Sequence, residues 1–269
     1  MQEVRTNPPY ALITGGSEGI GQSIADALAG QGYNLLLVAL PDDKLEASAK
    51  ALADLHGCVV HHLGVDLTLQ NADRQVFEWV KSLGCNVSVL VNNAGYGSLG
   101  KFSTFDRDFY HNMMMINVVN VVGLTRLMLD DLQRMPESHI LNVGSIASFF
   151  PMPYKTVYAS TKYFIYSFSR ALREELRSST VKVSLMCPGP VNTNEKVKER
   201  IRMAGYIGRA TALNPGYVGR LVTRQMLRGK WLILPGFPAK AGYYFEKILP
   251  LRLKQRLIAR QFNCRNGEI

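Results

Sequence analysis

The chain has 269 residues, 47% of them hydrophobic, and a formal net charge of +10. That is enough for one sizeable core. There is no run of 18 or more uninterrupted apolar residues to span a membrane, no leader in MQEVRTNPPYALITGG, and no C-x-x-C spacing among Cys58, Cys85, Cys187 and Cys264. The scattered cysteines predict reduced thiols in a cytoplasmic protein, not a disulfide frame or zinc site.

The elements alternate. YALIT (10–14) is a short apolar run, followed by NLLLVAL (34–40), CVVHHLGVDL (58–67), VSVLVNN (87–93), HILNVGS (139–145) and VKVSLMCPG (181–189). KWLILPG (230–236) supplies a seventh candidate strand. Between them, GQSIADALAGQG (21–32) and KLEASAKALADLHG (44–57) carry apolar residues at helical spacing and end in Gly. Apolar strands separated by helices predict a mostly parallel, doubly wound α/β sheet of about seven strands, covered on both faces. With no repeat or linker, the chain reads as one domain, a core over about 8–236 and a helical extension over about 237–269.

TGGSEGIG (14–21) follows the first strand and opens the first helix. Such a turn lets backbone N–H groups approach a pyrophosphate at a helix N-terminus, or serves only tight packing. In VALPDDK (38–44), the second turn offers Ala39 and Leu40 where an acid or a base would select the cofactor. Asp42, Asp43 and Lys44 follow slightly later, so NAD and NADP both stay open.

In VYASTK (157–162), Tyr158 and Lys162 lie four apart and share one helix face. The pair is either a surface contact or an acid with its activator. A free tyrosine titrates near pH 10; an adjacent ammonium is expected to lower that value.

The ordered set Thr14-Gly15-x-x-x-Gly19-Ile20-Gly21, Asp66, NNAG (92–95), Asn117, Ser145, Tyr158-x-x-x-Lys162 and PGPVNT (188–193) resembles the short-chain dehydrogenase/reductase family over about residues 10–235. The resemblance implies a Rossmann-type NAD(P)-dependent oxidoreductase with a tetrad of Asn117, Ser145, Tyr158 and Lys162. It places Gly15, Ser17, Gly19, Ile20 and Gly21 around the pyrophosphate. Asp66 and Leu67 are implied at the adenine, and Asn93, Ala94 and Gly95 beneath adenosine and ribose. Pro188, Gly189, Val191 and Thr193 are implied on the nicotinamide side, with Lys162 also gripping the ribose. Asn117 would bend its helix or hold a water that relays protons. The loop DDKLE looks like that of the reductase branch, which favours NADP, with Lys44 reaching its phosphate.

His61 and His62 point to opposite strand faces and cannot share a metal. Met113, Met114 and Met115, with Ile116, read as packing a helix into the core or against a partner. SFFPMPY (148–154) either borders an apolar substrate or packs its own loop. Residues 1–195 hold 15 Lys and Arg against 18 Asp and Glu, a net −3; residues 196–269 hold 16 against 3, a net +13. This end is either a solvated basic face or a surface for an anionic partner. Arg252, Arg256 and Arg260 would form a basic helical stripe suited to peripheral contact with an anionic membrane. No nucleic-acid recognition motif accompanies it.

The resemblance thus implies a ketone/secondary-alcohol oxidoreductase, with a lipophilic substrate expected from the looser likeness of the whole chain to lipid-acting 3-oxoacyl and 3-ketodihydrosphingosine reductases. The rival is a silent NAD(P)-binding regulator. The family resemblance also implies a homo-oligomer joined through the helices of Asn117 and Tyr158.

Overall fold

The computed structural model describes residues 8–193 and 211–248, together with Val197, Glu199 and Arg202. Apolar runs without a polar face are stable as strands only when both faces are covered. Seven runs form strands: β1 (Tyr10–Thr14), β2 (Asn34–Ala39), β3 (Val60–Gly64), β4 (Val87–Asn92), β5 (Ser138–Val143), β6 (Val181–Met186) and β7 (Leu232–Ile233). They form one parallel sheet in the order β3-β2-β1-β4-β5-β6-β7. Every residue of β2, β4 and β5 is buried, whereas edge strand β3 is half-covered. The strand order reverses between β1 and β4, which opens a crevice at the strands' carboxyl ends.

The helices are α1 (Gly19–Ala29), α2 (Asp43–His56), α3 (Ala72–Ser82), α4 (Arg107–Met114), α5 (Asn120–Arg134), α6 (Thr156–Glu175), α7 (Pro215–Leu227) and α8 (Gly236–Ile248). α2 shows why the sequence starts and stops a helix. Asp42 accepts a hydrogen bond from Leu45 N at 3.2 Å, and Gly57 closes the other end at φ +62°.

Alternation along the strands splits the core into two layers. Ala11, Ile13, Leu35 and Leu37 face Ile24 and Leu28 of α1 and Val218 and Val222 of α7. Leu12, Leu36, Leu90 and Ile140 face Val76 of α3 and Leu124, Met128 and Leu132 of α5. Burying each such side chain contributes about 2–3 kcal/mol.

α4 and α5 are joined by a wide turn, Met115–Val119, in which Asn120 N–H reaches back five residues to Met115 O. The combined rod, Arg107–Arg134, is long and apolar enough to cross a membrane by composition, although no uninterrupted apolar run occurs. Its Leu124–Met128–Leu132 face lies on the sheet, as in a core helix.

The helical extension expected over about 237–269 opens with α8, which packs on the core. Tyr243 of α8 lies 5.3 Å from the ring of Phe149, within an apolar cluster that includes Ile165, Leu185 and Leu232. Aromatic side chains gain more by this contact than by exposure. Arg252, Arg256 and Arg260 lie outside the described residues, as does Cys264.

Candidate active site

The turn between β1 and α1 is shaped by its glycines. Gly15 and Gly19 adopt φ +66° and +61°, a region that L side chains avoid. Gly21 has no room for a side chain, since a Cβ there would collide with Gly15 O and lie 2.5 Å from Asn93 Nδ2. Ser17 and Ile20 are half-buried in this turn. The residue before α1, Glu18, makes no side-chain cap, so its carboxylate does not compete with an anion at the helix's opening N–H groups. Thr193 reaches this turn from the other wall: a Cβ on Gly19 would lie 2.8 Å from Thr193 Cβ. These donors and this close packing fit a dinucleotide pyrophosphate.

Thr14 ties the floor together. Its Oγ1 accepts from Asn93 N at 3.0 Å and Ala94 N at 3.1 Å, while Asn93 Nδ2 donates to Thr14 O and Gly15 O. Asp66 holds a local turn through Thr68 N and Oγ1. The Leu67 side chain is buried in the sheet layer and its carbonyl accepts from Asn120 Nδ2 at 2.6 Å, so only its backbone is left to flank an adenine. Lys44 Nζ contacts Glu18 Oε2 at 3.1 Å. In the structure the expected phosphate-reaching lysine therefore bridges the second turn to the first.

The four tetrad positions come together at the carboxyl ends of β4, β5 and β6. Ser145 follows β5 and starts a short turn: its Oγ accepts from Ala147 N at 3.2 Å, and its N–H donates to Ser148 Oγ at 3.1 Å. The same hydroxyl hydrogen-bonds the Tyr158 phenol. Ser145 thus both caps its turn and contacts Tyr158. Lys162 is buried, and its Nζ donates to Val143 O at 2.8 Å. Gly95 lies between two of the groups: a Cβ there would stand 2.5 Å from Asn117 Oδ1 and 3.6 Å from Lys162 Nζ.

Asn117 sits in the wide turn, the kind of helical irregularity that recurs at functional sites. Its side chain does not satisfy its own helix. It accepts from Tyr96 N at 3.1 Å, and donates to Tyr96 O at 3.0 Å and Thr161 Oγ1 at 3.1 Å. These bonds clamp the loop after β4 onto α6.

The electrostatics differ from the expectation that Lys162 makes the phenol acidic. Burial pushes the half-buried Tyr158 phenol above its ordinary value, with the Ser145 hydrogen bond pulling the other way. Burial also pulls Lys162 down to about 8. The physical reason is desolvation, which opposes charge on either group. The buried Cys187 thiol beside them is pushed up to about 12 and stays protonated at neutral pH.

Pro188 O accepts from Ile146 N at 3.1 Å, joining the segment after β6 to that after β5. Gly189 faces Pro238 of α8, and Val191 is buried and bridges to Leu213. Of the aromatic loop, Phe149 is buried in the cluster with Tyr243, and Phe150 packs toward Gly242, so both serve packing. His61 stacks on Tyr10 at 6.1 Å, and the described residues contain no group of three metal-ligating side chains.

Sequence reasoning missed three contributors. Gly97 abuts the Tyr158 ring, Thr161 links Asn117 to Tyr158 O at 2.7 Å, and Asn142 anchors a buried chain of amides. In that chain Asn92 Nδ2 donates to Asn142 Oδ1 at 2.8 Å and Asn142 Nδ2 to Ser169 Oγ at 2.9 Å. Only Gly97, in NAGYG, leaves a signal in the sequence.

The chain is 31% identical over 185 residues to a very-long-chain 3-oxoacyl-CoA reductase of Macaca fascicularis, covering 66% of this chain and 58% of that protein. It is 30% identical over 192 residues to human 17-beta-hydroxysteroid dehydrogenase type 3, covering 71% and 61% respectively. The chain thus spans less than two thirds of these relatives' length. A short-chain dehydrogenase from Sphingobium yanoikuyae in complex with NADPH superposes with a TM-score of 0.76 at 25% identity, covering 97% of this chain and 96% of that one. Residues 9–203 match the model of the short chain dehydrogenases, and the chain belongs to that family.

Proposed function

We propose that the chain is an NAD(P)(H)-dependent oxidoreductase interconverting a ketone and a secondary alcohol, with a lipophilic substrate and NADP(H) as preferred cofactor. The observation that carries this reading is the hydrogen bond between Ser145 and the Tyr158 phenol, set beside the buried Lys162 at the mouth of the crevice. The relatives that act on very-long-chain acyl and steroid compounds support the lipophilic class, and the NADPH-bound neighbour supports the cofactor.

When bound, the nicotinamide supplies or accepts the hydride at the carbonyl carbon. Gly15, Ser17, Gly19, Ile20 and Gly21 hold the pyrophosphate through backbone N–H groups. Asp66 and the Leu67 backbone flank the adenine, and Asn93, Ala94 and Gly95 form the floor. Pro188, Gly189, Val191 and Thr193 line the nicotinamide side. Lys44, held at the turn by Glu18, is the cation for a 2′-phosphate.

In reduction, Ser145 Oγ donates a hydrogen bond to the substrate oxygen as charge builds there. Tyr158 Oη then gives its proton as general acid. A phenol that burial keeps protonated is in the right state for that step. Lys162 grips the nicotinamide ribose, and Asn117 holds the loop that shapes its surroundings.

The reading also includes a cytoplasmic homo-oligomer that touches membranes peripherally. Exposed Met114, Val119, Tyr163 and Phe164 on the rod and α6 support a second copy docking there, and the net +13 of residues 196–269 supports contact with anionic lipid. The deciding experiment follows NADPH and NADH absorbance against a panel of long-chain and cyclic ketones. Turnover that favours NADPH and vanishes in Tyr158→Phe is expected. Nucleotide binding without turnover of any ketone would leave a silent regulator.

A further inference from the structure

A second lysine flanks Tyr158. Lys155 stands one turn earlier, at the residue before α6, and its Nζ lies 5.8 Å from the centre of the Tyr158 ring. A cation within about 6 Å of an aromatic face is attracted by the ring's electrons. A phenolate ring is richer in electrons than a phenol ring, so the attraction grows as Oη loses its proton.

The backbone reaches this position through a strained residue. Tyr154 adopts φ +62°, one of two non-glycine residues in left-handed conformation among those described. That conformation costs about 1–2 kcal/mol, and such residues cluster where function demands a geometry. Tyr154 O accepts from Gly100 N at 2.9 Å, which ties the segment before α6 to the loop after β4.

Lys162 turns elsewhere. Its Nζ donates to Val143 O on the side of Gly95 and Asn117. From the other elements against Tyr158, the loop after β5 brings the Ser145 hydroxyl, the end of β6 brings the Cys187 thiol, and the loop after β4 brings Gly97. None of these three carries a charge at neutral pH.

We propose that Lys155 is a positioning residue for proton transfer: its ammonium over the Tyr158 ring stabilises the negative charge that gathers on the phenol when the proton leaves. The proposal rests on reading Tyr158 as the proton donor. It predicts that Lys155 assists the phenol in both directions, by easing proton release in reduction and by favouring the phenolate that alcohol oxidation requires.

The test places difluorotyrosine at position 158, whose more acidic phenol titrates while the protein stays folded, and follows its fluorine resonance with pH. In Lys155→Met the titration midpoint rises by about one pH unit, and Lys155→Arg restores it. The pH profile of kcat/KM for alcohol oxidation in the same variants, with ordinary tyrosine, moves in parallel. A Lys155→Met midpoint that coincides with that of the parent protein overturns the proposal, whatever the turnover. A shifted midpoint in a protein that reduces no ketone upholds the contact and removes the enzymatic reading instead.

Discussion

Gly97 lies directly against the ring of Tyr158: a Cβ at position 97 would stand 2.7 Å from Cδ2 and 2.9 Å from Cε2. Both distances are shorter than real side-chain contacts allow, so the ring must move if a methyl group is added. Gly97→Ala is expected to lower kcat by about 10- to 100-fold, because small misplacements of a reacting group are costly. Steady-state rates beside a thermal melt separate this from unfolding, and an unchanged kcat would contradict it.

Tyr158→Phe removes the proton donor and leaves the packed ring. A loss of about 10²–10⁴ in kcat is expected, with nucleotide affinity and melting temperature near those of the parent. Fluorescence titration with NADPH alongside turnover measures both.

Lys162→Met separates activity from stability. Burial holds Lys162 at about 8, well below an unfolded lysine at about 10.4. Below pH 8 the folded chain therefore carries a buried ammonium at a cost of roughly 3 kcal/mol, partly offset by its bond to Val143 O. Between pH 8 and 10.4 the unfolded chain binds the extra proton, so parent stability rises with pH. The variant is expected to be inactive, more stable at pH 7 by about 1–2 kcal/mol, and to lose that advantage above pH 8. Urea unfolding at pH 7 and pH 9.5 checks the sign.

Asn142→Ala cuts the amide chain beneath the site. It leaves Asn92 and Ser169, both buried, each short of a partner. A destabilisation of about 2–4 kcal/mol is expected from the unpaired groups and the lost volume. The midpoint of denaturant unfolding reads it directly.

His139 is buried in β5, and burial lowers its pKa. Its Nδ1 has no hydrogen-bond partner among the described residues, and its Nε2 lies 3.8 Å from Glu137 Oε1. A depressed folded value means that the unfolded chain takes up the proton first. Stability is therefore complete above about pH 6.5 and falls as the pH drops below it. His139→Leu should flatten this limb between pH 6.5 and pH 5 in urea titrations.

The strands were legible because fully covered sheets need unbroken apolar runs, and YALIT and VSVLVN supply them. Strand ends were less so: CVVHHLGVDL promised ten residues, yet pairing stops at Gly64, where the crevice begins. The glycine turn and the Tyr158–Lys162 spacing are local, and a sequence displays local geometry. The direction of the Tyr158 shift is not local. It follows from the depth of burial, aided by Cys187 and opposed by Ser145, which the chain assembles from distant segments. Phe149 likewise reads either as a substrate-site border or as loop packing until α8, nearly ninety positions later, packs against it.

The wide turn at Met115–Val119 carries one residue more than a regular helix would. Each residue of an α-helix rotates the chain by about 100°. Deleting Val118 would give an evenly wound rod whose two halves are out of phase. Either Asn117 would then swing off the Tyr96 loop, or Leu124 and Met128 would leave the sheet. The surplus residue works as an indexing joint that lets a single rod serve the crevice at one end and the core at the other.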